Sequence, residues 1–150
     1  MQNQLDDQYR LARHKITRLL AKREHSQKEI VYKLMAGGIE KHVAEEVLQR
    51  FIEKNLQNDD AFANSLVRSL TNKGKGPMYI KQKAAEHGIA EADIDEIVST
   101  LSIDWCALAK QVKEKRFGAK QTQDWQAIQK QKRFLHQRGF TMTQIEEAFE

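Results

Sequence analysis

One phrase recurs three times in this chain, and that recurrence limits the fold more than any other feature. Ser26 to Ile39 (SQKEIVYKLMAGGI), Lys73 to Ile89 (KGKGPMYIKQKAAEHGI) and Trp125 to Phe140 (WQAIQKQKRFLHQRGF) each carry a helical stripe, then a glycine, then an apolar residue. The closing pairs are Gly38-Ile39, Gly88-Ile89 and Gly139-Phe140, spaced by 50 and then 51 residues. Such a period marks a repeat array, whose units are too small to bury their own apolar faces and share a core with their neighbours.

Each unit reads as three helices. In the first, Leu5, Tyr9, Ala12, Ile16, Leu19 and Leu20 recur at helical steps, which predicts a helix from about Asp7 to Lys22. Ser26 and Glu29 form a capping box ahead of Ile30, Leu34 and Met35, and a third helix from about His42 to Asn55 turns Val43, Val47, Leu48 and Phe51 inward. The second unit copies this. Asn58 and Asp59 are cap candidates for a helix with Phe62, Leu66, Val67 and Leu70. Gly76 and Pro77 open the next helix, because proline suits a first helical position where no N–H is needed. Gly88 closes it, and a helix near Glu91 to Leu101 follows.

In the third unit Asp104 caps a helix running to Phe117-Gly118. A linker, Ala119 to Thr122, leads to a helix from Asp124, and Thr141 with Gln144 boxes the last helix. Apolar positions align across the units at Ala44, Ile94 and Ile145, and again at Leu48, Val98 and Phe149. No stretch alternates with period two, which argues against a sheet. The expected fold is all-α: three tandem three-helix repeats over residues 1–56, 57–102 and 103–150, forming an elongated curved array.

Several functions are disfavoured. No apolar run approaches the roughly 18 residues a membrane span needs, and MQNQLDDQYR lacks a signal peptide's apolar core, so a cytoplasmic protein without membrane contact is expected. The single cysteine, Cys106, has no internal partner, fits a reducing compartment, and reads as a small buried residue. His14, His25, His42, His87 and His136 lack ligand spacing, so neither metal nor other cofactor is expected, and no catalytic constellation is present. Lys73-Gly-Lys-Gly-Pro77 lacks the strand and hydroxyl of a Walker loop. It leaves a helix N-terminus that, with Lys73 and Lys75, could hold a backbone phosphate.

Charge is distributed unevenly. The formal net charge is +4, yet the acid-free window from Ala61 to Ala85 alone carries Arg68, Lys73, Lys75, Lys81 and Lys83. The third unit adds Lys113, Lys115, Arg116, Lys120, Lys130, Lys132, Arg133 and Arg138, and then ends in Glu146, Glu147 and Glu150. Uncompensated basic surface of this density points to an anionic partner. Trp105, Trp125, Phe117 and Phe134 lie at helical spacing from Leu108, Ile128 and Leu135, and are read as core rather than as base-stacking groups. Ser26–Gly37 and Pro77–His87 also admit an autonomous helix-turn-helix reading, although Lys81 and Lys83 are not the Arg, Asn or Gln that read base edges best.

The order and spacing of several short motifs resemble the RecX family along nearly the whole chain. They are Arg23-Glu24-His25-Ser26, Asn58-Asp59-Asp60-Ala61-Phe62-Ala63, Lys75-Gly76-Pro77 with Ile80 and Gly88-Ile89, Asp104-Trp105, Arg116-Phe117-Gly118, and Lys132-Arg133-Phe134-Leu135 leading to Arg138-Gly139-Phe140. Where the family often has an arginine after the Gly-Pro turn and a later Glu-Leu pair, this chain has Met78-Tyr79 and Lys83-Ala84.

The resemblance implies a non-catalytic regulator that binds the RecA filament and inhibits its recombinase, ATPase and co-protease activities. Recombination and the SOS response would be restrained thereby. Weak contact with single- and double-stranded DNA, without sequence preference, and a monomeric state are expected alongside. From charge, the contact residues are expected among Lys73, Lys75, Lys81, Lys83, Lys113, Lys115, Arg116, Lys130, Lys132, Arg133 and Arg138.

Overall fold

The computed structural model describes residues 2–150, and among them are nine helices and no strand. In chain order they are α1 (Gln2–Lys22), α2 (Gln27–Ala36), α3 (Lys41–Glu53), α4 (Asp59–Asn72), α5 (Pro77–Glu86), α6 (Glu91–Leu101), α7 (Trp105–Phe117), α8 (Trp125–Gln137) and α9 (Met142–Ala148). Packing divides the chain into two compact units: one up to Ser65 with His87–Ile89, the other Leu66–Glu86 with Ala90–Glu150, so the division falls inside α4.

In the first unit α3 packs against both α1 and α2. Ala12 and Ile16 of α1, Ile30 and Leu34 of α2, and Val43, Ala44, Val47 and Leu48 of α3 form one buried cluster. These are the positions the helical stripes select, and each fully buried Val, Leu or Ile contributes about 1.5–3 kcal/mol. The turn after α2 requires Gly38, whose φ of 90° lies in the left-handed region.

Side-chain hydrogen bonds fasten the connections of this unit. Ser26 Oγ accepts from the Glu29 amide at 3.1 Å, but the Glu29 carboxylate does not complete the expected box. It pairs instead with Arg23 at 2.6 Å and Lys33 at 3.5 Å, since a charge-assisted guanidinium contact outweighs one backbone amide. Burial opposes ionisation of Glu29, yet the Arg23 hydrogen bond and neighbouring positive charge hold its carboxyl below the usual range.

His25, 2% exposed, sets Nδ1 against the Arg23 carbonyl at 2.9 Å, and its own carbonyl accepts from Gln57 Nε2 at 3.0 Å. Asp59 Oδ1 accepts from the Gln27 amide and from Gln57 Nε2, both at 2.9 Å. Asn58 Oδ1 caps α4 by accepting from Asp60 at 2.8 Å. The motifs at Arg23–Ser26 and Asn58–Asp60 therefore hold the fold together.

In the second unit α7 packs on α8 and α9, and α5 on α6. Ala109, Leu135, Phe140, Ile145 and Ala148 form the core around which Trp105, Leu108, Val112, Phe134 and Phe149 are partly buried. The box at α9 is complete, with Gln144 N donating to Thr141 Oγ1 at 3.3 Å and Thr141 N to Gln144 Oε1 at 2.9 Å.

The turn before α5 is seated on the turn after α8. The Gly76 amide donates to the Arg138 carbonyl at 2.7 Å, and the Met78 amide to the Gly139 carbonyl at 2.9 Å. A Cβ on Gly76 would collide with the Gly139 backbone, so Gly76 is set by this close approach.

Three expectations need correction. α1 begins at Gln2, so the expected start at Asp7 lies within the helix. Trp125 is 70% exposed, because it opens α8 beyond the reach of the Leu135 core. Cys106 is only half-buried, and its thiol donates to Glu147 Oε2 at 2.8 Å. That carboxylate, with burial and nearby negative charge, pushes the thiol pKa up to about 11.

Candidate functional site

The second unit sorts the cations selected from sequence. Lys81 is engaged by Asp95 at 3.0 Å and Glu91 at 3.1 Å, and the hydrogen bonds it donates to these carboxylates push its pKa up. Lys83 meets Glu86 at 3.5 Å, and Lys132 meets Glu146 at 3.0 Å. Lys113 is turned inward: it is 7% exposed, donates to the Ala148 carbonyl at 3.0 Å, and burial lowers its pKa. Lys75 lies over the Tyr79 ring at 4.5 Å. Lys130 and Arg133 are exposed on α8.

The remaining four converge. Lys73, Lys115, Arg116 and Arg138 line a cleft of about 610 Å³ together with Thr71, Asn72, Gly74, Leu108, Gln111, Val112 and Phe134. No carboxylate lines it, and among the described residues none of the four cations forms a salt bridge. Lys73 is placed by the end of α4, Lys115 and Arg116 by the last turn of α7, and Arg138 by the turn after α8.

Arg138 is held in place: Nε donates to the Gly74 carbonyl at 3.2 Å and Nη2 to the Lys73 carbonyl. With Nη1 uncommitted, this fixed guanidinium retains donors for a carboxylate or phosphate at little entropic cost.

The helical spacing of Phe134 selects it for the core. It also forms a cleft wall, with the Arg138 guanidinium 5.5 Å and the Arg116 guanidinium 5.7 Å from its ring centroid. Phe117 meets its edge at 5.4 Å and 89°. The spacing of Phe134 and Arg138, four apart at the end of one helix, is the sequence signal that identifies the pair. Polar Thr71, Asn72 and Gln111 had no such signal, because only the approach of α4 and α7 brings them together.

Two of the amides that start α5, those of Gly76 and Met78, are consumed by the Arg138 and Gly139 carbonyls and Pro77 has none, so the anion site expected there loses most of its donors. Among the described residues no group of three His, Cys, Asp or Glu is placed to hold a metal ion, and no helix is long and apolar enough to cross a membrane.

Sequence models of three RecX domains match the chain in order: the first three-helix domain over residues 12–51, the second over 58–97 and the third over 103–149. The Regulatory protein RecX of Halorhodospira halophila is 38% identical over 131 residues, covering 87% of this chain and 81% of that protein.

The chain belongs to the RecX family.

The RecX of Pseudomonas entomophila is 33% identical over 127 residues, covering 85% of this chain and 82% of its own. A crystal structure of regulatory protein RecX matches 95% of this chain and 73% of its own with a TM-score of 0.79 at 27% identity. RecX from Lactobacillus salivarius shares the fold at a TM-score of 0.74, covering 99% of this chain and 96% of its own. The three-helix repeats are thus RecX domains, in a chain whose relatives are named regulatory proteins.

Proposed function

We propose that this protein binds the RecA nucleoprotein filament and inhibits its recombinase, ATPase and co-protease activities, so restraining recombination and the SOS response. The observation that carries this reading is the acid-free cleft bounded by Lys73, Lys115, Arg116 and Arg138 in a chain of the RecX family. Its fixed guanidinium and unpaired ammonium groups suit acidic side chains of the filament or the phosphates within it. Inhibition follows from occupancy: no bond is made or broken, and the chain acts as a monomer without catalysis in the cytoplasm.

DNA contact is weak and independent of sequence, because cations that meet phosphates carry no base information. Autonomous duplex reading by α5 is disfavoured, since the start of a recognition helix must face base edges and the start of this one is covered by the turn at Gly139.

The test is RecA's DNA-dependent ATP turnover with increasing amounts of this protein. Substoichiometric protein lowers the turnover, and the effect weakens as salt rises. Full turnover at saturating protein would overturn the proposal.

A further inference from the structure

We propose that Trp125 and Arg133, on one face of α8, form a stacking site for single-stranded nucleic acid, separate from the basic cleft. The indole of Trp125 is 70% exposed, an unusual position for a side chain with so much apolar surface. It borders a shallow depression of about 460 Å³ whose other walls are Gln126, Gln129 and Arg133. The spacing of 125, 129 and 133 runs these side chains along one side of the helix.

The surroundings select the ligand. A tryptophan that anchors a protein partner is normally surrounded, in the complex, by contacts that exclude water. Here the neighbours are two amides and a guanidinium, no carboxylate lines the depression, and Lys130 and Lys120 are exposed nearby in sequence. Among the described residues, Arg133, Lys130 and Lys120 form no salt bridge, in contrast to Lys132, which meets Glu146 at 3.0 Å.

An exposed indole beside an unpaired guanidinium and hydrogen-bonding amides is complementary to a base with its flanking phosphate. A duplex hides its base faces in the stack, so the unpaired strand is the ligand. The site does not depend on binding to the recombinase.

The test uses the full chain without RecA. In a Trp105→Phe variant the remaining fluorescence comes from Trp125, and oligothymidylate at low salt quenches it. A duplex of equal length quenches it much less, and heparin, a polyanion without bases, leaves it nearly unchanged. Fluorescence anisotropy of a labelled oligothymidylate shows affinity falling about tenfold in Trp125→Ala and largely retained in Trp125→Phe.

Unaltered affinity in Trp125→Ala, or equal quenching by heparin, overturns the site. So would tight, Trp125-dependent capture of RecA that needs no DNA, because Trp125 would then be a protein anchor. If Trp125→Ala loses the oligonucleotide but still lowers RecA's ATP turnover, the stacking site and the filament reading are separate properties.

Discussion

The amide of Gly76 donates to the carbonyl of Arg138 at 2.7 Å, so the turn that opens α5 rests directly on the turn that ends α8. The contact leaves no room for side chains on the glycines involved. A Cβ on Gly139, at φ 99°, would sit 2.5 Å from both Cβ and N of Tyr79, whereas one on Gly38, at φ 90°, would meet nothing within 4 Å.

Gly38→Ala therefore incurs only the backbone cost of the left-handed region, about 1–2 kcal/mol. Gly139→Ala adds steric overlap and costs at least about 2 kcal/mol more, in the range of overpacked sites. Urea unfolding of the two variants measures the difference. Equal losses would mean that the two turns do not meet this closely.

Burial pushes the His25 imidazole pKa down, with Arg23 and Lys33 positive beside it and Glu29 only partly offsetting them. The unfolded chain, titrating near 6.5, therefore takes up the proton first. The stability this group contributes is complete above about pH 6.5 and is lost as pH falls through the folded value. Glu29, whose folded pKa is lowered, keeps its contribution above the ordinary carboxyl value of 4.5 and loses it only as pH falls below that. The Tm is expected to drop between pH 7.5 and pH 5.5 in the native protein and to drop less in His25→Asn; parallel curves would contradict this.

With its thiol pKa at about 11, Cys106 is almost wholly protonated at pH 8. The small thiolate fraction slows alkylation, while the greater nucleophilicity of a basic thiolate recovers part of the loss, leaving Cys106 roughly tenfold slower than an ordinary thiol. Glu147→Gln removes the first cause of the shift and should accelerate iodoacetamide labelling by a similar factor. Labelling unaffected by that substitution would show that Glu147 does not hold the proton.

Helix positions were legible wherever periodicity and caps agreed. Asp104, Ser26 and Thr141 all accept from the amide three residues on, and the aligned positions Ala44, Ile94 and Ile145 are each at most 1% exposed. Local spacing could not reveal what tertiary placement decides. Glu29 had competing cations and abandoned its box, and Trp125 had no core within reach.

The basic residues show the same limit. Lys81, Lys83 and Lys132 looked equivalent to Lys115 and Arg116 in sequence, and only the fold brings Asp95 and Glu91 to Lys81, or Glu146 to Lys132. Lys83 meets Glu86, one turn on, just outside the acid-free window. The glycine at 76 was recognised as a turn residue, but its contact with Gly139 spans too much sequence to be inferred from either turn alone.

The central claim is that the cleft, and not the whole basic surface, makes the contact. RecA's DNA-dependent ATP turnover, titrated with Lys115→Glu/Arg116→Glu and with Lys81→Glu/Lys83→Glu, tests it most directly. Both pairs change the net charge equally, but only the first reverses the cleft; Arg138 is left intact because it also holds the Lys73–Gly74 carbonyls. The first pair is expected to raise the concentration needed for half-inhibition at least about tenfold, a loss within the range for hydrogen-bonded charge pairs. The second pair is expected to change it less than about threefold, since partly exposed, already paired charges contribute little. Equal effects from the two pairs, or inhibition undiminished by the first, would contradict the account.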